Sequence, residues 1–152
     1  MRALIQRVAR AHVAVGESIV GAIGIGLSIF LGVREGDTEA DAQYLAQRIS
    51  LLRIFNDQNS KMNLSILDVQ GQALVISQFT LHADTRRGNR PSYIAAARPE
   101  EAERLYLIFI ESLRALIGKE NVQTGIFGAM MNIELVNDGP VTILLQSKSE
   151  FE

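Results

Sequence analysis

Three short segments hold the side chains best suited to chemistry. The first is Ser77-Gln78-Phe79-Thr80-Leu81, which follows the apolar run Leu74-Val75-Ile76. In an extended strand side chains alternate, so Gln78, Thr80 and His82 are expected to share one face. Thr80 is then a candidate nucleophile, with His82 its one candidate base on that face. The plainer alternative is a strand that surfaces at its end. The second segment is Arg86-Arg87-Gly88-Asn89-Arg90, where three arginines give a local charge of +3 on a chain of net charge −2. Such a cluster suits a phosphate contact, or is a solvated loop. The third is Asn137-Asp138-Gly139-Pro140. Its composition is that of a hairpin turn. Pro140, however, removes an N–H where a new strand begins, which marks a special geometry, a cis bond among the options.

Other chemistries lack their residues. There is no cysteine, so disulfides, thiolate nucleophiles and cysteine-based zinc sites are absent. The two histidines, His12 and His82, have no partner at ligand spacing, so no metal is expected. No P-loop, zinc-protease or nucleophile-elbow pattern occurs. Gly24-Ile25-Gly26 fails as a dinucleotide loop, because Ile29 stands at the third glycine and a strand follows. Asp37, Glu39 and Asp41, like Glu100, Glu101 and Glu103, read as charged first turns of helices rather than paired catalytic carboxylates. No cofactor is expected. With 15 Lys+Arg against 17 Asp+Glu, a globally basic nucleic-acid binder is disfavoured, while a local basic patch is not.

These segments need a scaffold. At 152 residues, 47% hydrophobic and 21% charged, the chain suits one domain with its own core. Leu4 to Val8, His12 to Val15 and Ser18 to Val20 read as strands, with Gly16-Glu17 as a turn. Leu27 to Val33 is an apolar run typical of a strand covered on both faces. Asp37 and Thr38 are good N-caps for a helix whose apolar stripe is Ala42, Leu45, Ile49 and Leu52. A polar loop follows at 56–61, then a strand from Ala73 to Leu81 opened by Gly71. Pro99 starts a second helix with the stripe Ala102, Leu105, Phe109, Leu113 and Leu116, ended by Gly118. Ile133 to Val136 and Val141 to Leu145 read as two last strands. A domain over residues 1–147 and a polar tail over 148–152 are expected. The apolar stretch from Ile19 to Val33 is broken by four glycines, so no membrane helix and a cytoplasmic location are expected.

Taken together, the motifs resemble the D-aminoacyl-tRNA deacylase family of bacterial type. The opening Met1-Arg2-Ala3-Leu4-Ile5-Gln6-Arg7-Val8 matches it, as do Leu31-Gly32-Val33, Gly36-Asp37-Thr38, Leu52-Arg53-Ile54-Phe55 and Lys61-Met62-Asn63-Leu64-Ser65. The diagnostic motifs are Ser77-Gln78-Phe79-Thr80-Leu81 and Asn137-Asp138-Gly139-Pro140-Val141-Thr142. Ala83-Asp84-Thr85, Arg90-Pro91-Ser92 and Thr124-Gly125-Ile126-Phe127-Gly128-Ala129 match too. His82 departs mildly, standing where the family often has tyrosine. Met131-Asn132 varies a variable stretch.

The resemblance implies an α/β fold: one domain, a β-rich mixed sheet curled into a barrel-like core, two main helices, and a homodimer. It implies hydrolysis of the ester joining a D-amino acid, or misplaced glycine, to the 3′ end of tRNA, with L-aminoacyl substrates rejected. Ser77, Gln78, Phe79 and Thr80 would line one subunit's pocket. Gly139-Pro140, with a cis bond, would enter it from the partner. Phe127, Gly128, Ala129 and Met130 would lie near the terminal adenosine, with Asn137 a further substrate contact. Arg86, Arg87 and Arg90 are candidate tRNA contacts. No DNA or membrane partner is implied. Two other readings stand beside this one: a dimeric module that binds RNA ends without catalysis, and an esterase acting on small aminoacyl esters.

Overall fold

The computed structural model describes residues 1–148. Of the tail expected over 148–152, residues 149–152 lie outside the described residues. The elements are β1 (Arg2–Val15), β2 (Ser18–Ile23), β3 (Gly26–Gly32), α1 (Glu39–Ser50), β4 (Phe55–Asn56), β5 (Met62–Leu64), β6 (Gln72–Ser77), α2 (Pro99–Ile117), β7 (Val122–Thr124) and β8 (Asn132–Gln146). Short 3-10 turns occupy Phe79–His82 and Lys119–Asn121.

β1 is one strand, not the two expected. Its first half pairs antiparallel with β3, from Arg2 opposite Gly32 to Val8 opposite Gly26. Its second half pairs antiparallel with β2, from Ala11 opposite Ile23 to Val15 opposite Ser18. A single strand thus feeds two neighbours on one edge, while its other edge carries β8. β3, β6 and β7 run parallel, linked by crossovers through α1 and α2. The resulting mixed sheet, β2-β1-β3-β6-β7 with β8 on β1, curls until β2 nearly meets β7. Gly21 makes that approach possible: a Cβ there would lie 2.7 Å from the Thr124 carbonyl oxygen.

The curled sheet is covered on both faces. Leu27, Ile29, Leu31, Ala73 and Val75 pack against the helices. Leu74 and Ile76 turn the other way, into a barrel interior with Val8, Val13 and Ile23. This is why β3 and β6 read as near-continuous apolar runs. Outside, α1 and α2 pack on each other and on the sheet. At the start of α1, the Asp41 carboxylate accepts hydrogen bonds from the N–H and hydroxyl of Thr38, both at 2.9 Å. α2 starts at Pro99 and ends at Gly118, whose φ is +99°. Its stripe closes on buried Ile117 rather than half-exposed Leu116. Ile117 continues the four-residue row Leu105, Phe109, Leu113, with Tyr106 and Ile110 buried beside it, and a 3.6-residue period admits either neighbour.

Two further expectations are corrected. β6 stops at Ser77 and the chain tightens into the 3-10 turn, so strand alternation does not place Gln78, Thr80 and His82 on one face. The expected pair of final strands is one strand. Both halves of β8 pair with β1 in one ladder, so Asn137-Asp138-Gly139-Pro140 is a bulge and not a hairpin turn. Five residue steps from Asn137 to Thr142 lie opposite two from Val8 to Gln6, and the excess loops outward.

Candidate functional site

The carboxyl ends of the parallel strands β3 and β6 open into a cavity of about 400 Å³. Such an end is the usual ligand crevice of a parallel sheet. Leu31, Val33, Ala102 and Tyr106 line its apolar part, Ser77, Gln78 and Phe79 one wall, and Phe127 and Gly128 another. The first wall follows from how β6 ends. Gln78 donates its N–H to the Leu31 carbonyl at 2.8 Å, and the backbone then tightens into the 3-10 turn. The N–H groups of Phe79 and Thr80, in the first turn, donate to no carbonyl among the described residues. Phe79 lines the cavity wall, and Thr80 is the next residue, just beyond the lining. The Gln78 side-chain amide donates to the Thr80 hydroxyl at 2.5 Å.

Tyr106 braces the cavity. Its hydroxyl donates to the Val75 carbonyl at 3.0 Å, which also accepts the Gly125 N–H at 3.2 Å. Burial pushes the phenol up to about 12, so it stays a donor at neutral pH. Its ring meets that of Phe127 at 5.6 Å. One buried tyrosine thus ties α2 to β6 and to the segment carrying Phe127 and Gly128. Sequence reasoning missed it; the signal was a hydroxyl on an otherwise apolar helical stripe.

The other sequence-derived candidates lie elsewhere. Thr80 and His82 do not line the cavity, and His82 is buried. Ala129 belongs to a turn closed by its N–H on the Ile126 carbonyl at 3.2 Å, and Met130 is 90% exposed. Asn137 closes the base of the β8 bulge: its Oδ1 accepts the Val141 N–H at 2.8 Å, and its Nδ2 donates to the Val141 carbonyl at 3.2 Å. Arg86, Arg87 and Arg90 border a separate hollow with Asp84, Ser92 and Ile94. Arg86 is committed to Asp84, donating from Nε at 3.0 Å and Nη2 at 2.7 Å, and it holds that carboxyl down to about 2. The local charge is therefore lower than three arginines suggest.

The Gly139–Pro140 bond is cis, and both residues are exposed. Neither lines the cavity of its own chain. Ser77 aligns through Leu31 with Ala3 on β1, whereas the bulge sits opposite Arg7 and Val8. Several residues along the strands and three strands across separate them by on the order of 20 Å. Beneath the bulge lies Arg7, which sequence reasoning also missed. Its side chain is 8% exposed; Nε donates to the Asp138 carbonyl at 2.8 Å and Nη1 to the Ile54 carbonyl at 2.7 Å. An arginine inside the run Leu4 to Val8 was the available signal. Among the described residues no group of His, Asp or Glu is placed to hold a metal, and no helix is long and apolar enough to cross a membrane.

A nearly closed mixed sheet with an apolar cavity at its parallel end, walled by the Ser77 to Phe79 motif, defines a known class. The pattern of the D-Tyr-tRNA(Tyr) deacylase family matches residues 4–146, and the chain belongs to that family. It is 56% identical over 151 residues to the D-aminoacyl-tRNA deacylase of Koribacter versatilis (strain Ellin345), covering 99% of this chain and 100% of that one. Among solved structures, the c-Myc DNA unwinding element binding protein superposes with a TM-score of 0.93 at 40% identity, covering 97% of this chain and 99% of that one. A probable eukaryotic D-amino acid tRNA deacylase shares the fold, with a TM-score of 0.80 at 15% identity over 95% of this chain and 97% of that one.

Proposed function

We propose that this chain is a D-aminoacyl-tRNA deacylase, a hydrolase that cleaves the ester between a D-amino acid and the 3′ end of tRNA and also clears glycine. The observation that carries this reading is the cavity itself. In a chain of this family, it joins an apolar recess to a wall at Phe79, where the N–H groups of Phe79 and Thr80 donate to no carbonyl among the described residues.

An aminoacyl ester is already activated, so positioned water and an oxyanion site suffice. The N–H groups of Phe79 and Thr80 are suited to receive the developing oxyanion. One such donor contributes about 10²–10³ in rate. The Thr80 hydroxyl, held by Gln78, orients this turn and is not the nucleophile. The terminal 2′-hydroxyl of the tRNA assists the attack. Phe127 and Gly128 border the place of the terminal adenosine.

Handedness comes from a second copy of the chain. The exposed Gly139-Pro140 bulge, distant from its own cavity, enters the partner's cavity in a homodimer. There its backbone stands against the substrate α-carbon. An L side chain collides with it, glycine has nothing to collide, and a D side chain points away. The work is cytoplasmic, where tRNA is charged. The test is release of amino acid from paired D- and L-tyrosyl-tRNA. Release from the D ester alone is expected; release from neither, or from both alike, overturns the proposal.

A further inference from the structure

Successive residues 92–94 line the hollow beside the arginine loop and the cavity by turns. Asp84 and Ser92 exchange main-chain hydrogen bonds at 2.8 and 2.9 Å, which pinches the intervening residues into a lobe. Gly88, at φ +84°, turns the lobe back. Arg86 folds onto Asp84 and cancels its charge. Arg87 and Arg90 are exposed, make no ion pair or hydrogen bond among the described residues, and face a hollow of about 440 Å³. Ser92 and Ile94 line that hollow, while Tyr93 between them lines the cavity and meets Phe79 edge-on at 5.1 Å.

We propose that Arg87 and Arg90 bind one phosphate: the internucleotide phosphate on the 5′ side of the esterified terminal nucleoside. The proposal rests on the deacylase reading of the neighbouring cavity. With the ester at the Ser77 to Phe79 wall, that phosphate is the nearest negative charge the substrate carries, one sugar away from the reacting bond. Two guanidinium forks without carboxylate partners match a phosphodiester's oxygens. The half-exposed Phe79 and Tyr93 rings give the connecting nucleoside an aromatic edge to run along. A backbone phosphate is present in every tRNA, so the contact positions the strand and reads no sequence. Arg86, in contrast, shapes the lobe and leaves the phosphate to the other two.

The test pairs a change in the protein with a change in the substrate. Natural D-tyrosyl-tRNA is compared with one whose last internucleotide linkage is a neutral methylphosphonate. For the unaltered enzyme, neutralising that linkage is expected to raise KM roughly tenfold with kcat unchanged. The Arg87→Ala/Arg90→Ala enzyme should show the raised KM on natural substrate and no further rise on the neutral one. The magnitude of its log–log salt slope should be lower by about 0.7 for each phosphate that the protein no longer neutralises. If the two changes multiply independently, or the neutral linkage has no effect on the unaltered enzyme, the assignment is wrong. An unaltered enzyme that leaves natural D-tyrosyl-tRNA intact removes the deacylase reading itself, a different failure.

Discussion

The guanidinium of Arg7 donates from Nε to the main-chain carbonyl of Asp138 at 2.8 Å, binding the middle of β1 to the shoulder of the β8 bulge. The same group donates from Nη1 to the Ile54 carbonyl, so one buried cation joins three separate stretches of chain. Arg7→Lys keeps the charge but loses the planar fork and cannot satisfy both carbonyls. A stability loss of about 1–3 kcal/mol is expected. In a domain of this size that lowers Tm by roughly 2–4 °C per kcal/mol. Calorimetry together with deacylation measures both consequences. Unchanged Tm and unchanged kcat/KM would show that Arg7 does not hold the bulge.

Gly139 has little room for a side chain. An added Cβ would stand 2.7 Å from Val141 atoms and 3.3 Å from Arg7 Nη2, at a φ of +154° that L residues rarely adopt. Gly139→Ala should therefore displace the bulge and reduce D-aminoacyl-tRNA hydrolysis by about two orders of magnitude or more. A Gln78→Ala chain should be impaired at its own cavity wall. Mixing the two variants is expected to restore activity, because a mixed dimer holds one site with an intact wall and an intact bulge. No recovery on mixing, or full activity in a sedimenting monomer, contradicts the shared site.

Thr80 is held by Gln78 and lies outside the cavity lining. Thr80→Val removes the hydroxyl while nearly preserving shape. Activity within about tenfold of the unaltered enzyme, or roughly 1.4 kcal/mol in barrier, is expected. A loss of several orders of magnitude would make Thr80 the nucleophile after all.

Asp84 offers a pH test of the arginine lobe. Hydrogen bonds from Arg86 hold its carboxyl at about 2, below the ordinary 3.8. Because the folded value is depressed, the interaction is fully present above about pH 4 and is lost as the pH falls through about 2. An NMR titration of the Asp84 carboxyl should show this low midpoint. In Arg86→Ala it should return toward 3.8. A midpoint unaffected by that substitution would mean that Arg86 does not hold Asp84.

The elements bounded by proline, glycine and a capping residue were legible in the sequence. Pro99 and Gly118 enclose α2, and the apolar runs of β3 and β6 announce strands with two covered faces. The continuity of β1 and β8 was not legible. Ala9 and Arg10 interrupt the apolar pattern where β1 passes between its two partners, and a bulge has the same composition as a turn. Of the site, the motif at Ser77 to Phe79 was visible as polar residues following an apolar strand. The end of β6 at Ser77 was hidden, because ladder pairing with Leu31 decides it. Arg7 and Tyr106 act through carbonyls distant in sequence, and periodicity carries no trace of such partners.

The pairing of β1 with β8 also constrains when the molecule can be assembled. Arg2 lies opposite Gln146, and His12 opposite Glu134, so the central strand waits for a strand translated well over a hundred residues later. At about 5–20 residues per second, the ribosome leaves that edge of β1 without its partner for many seconds. Such distant closure is slow and exposes an open strand edge meanwhile. Arg7 shares the wait, since its acceptor at Asp138 belongs to the same late strand. The bulge and the residue that steadies it can therefore meet only after β8 has been made.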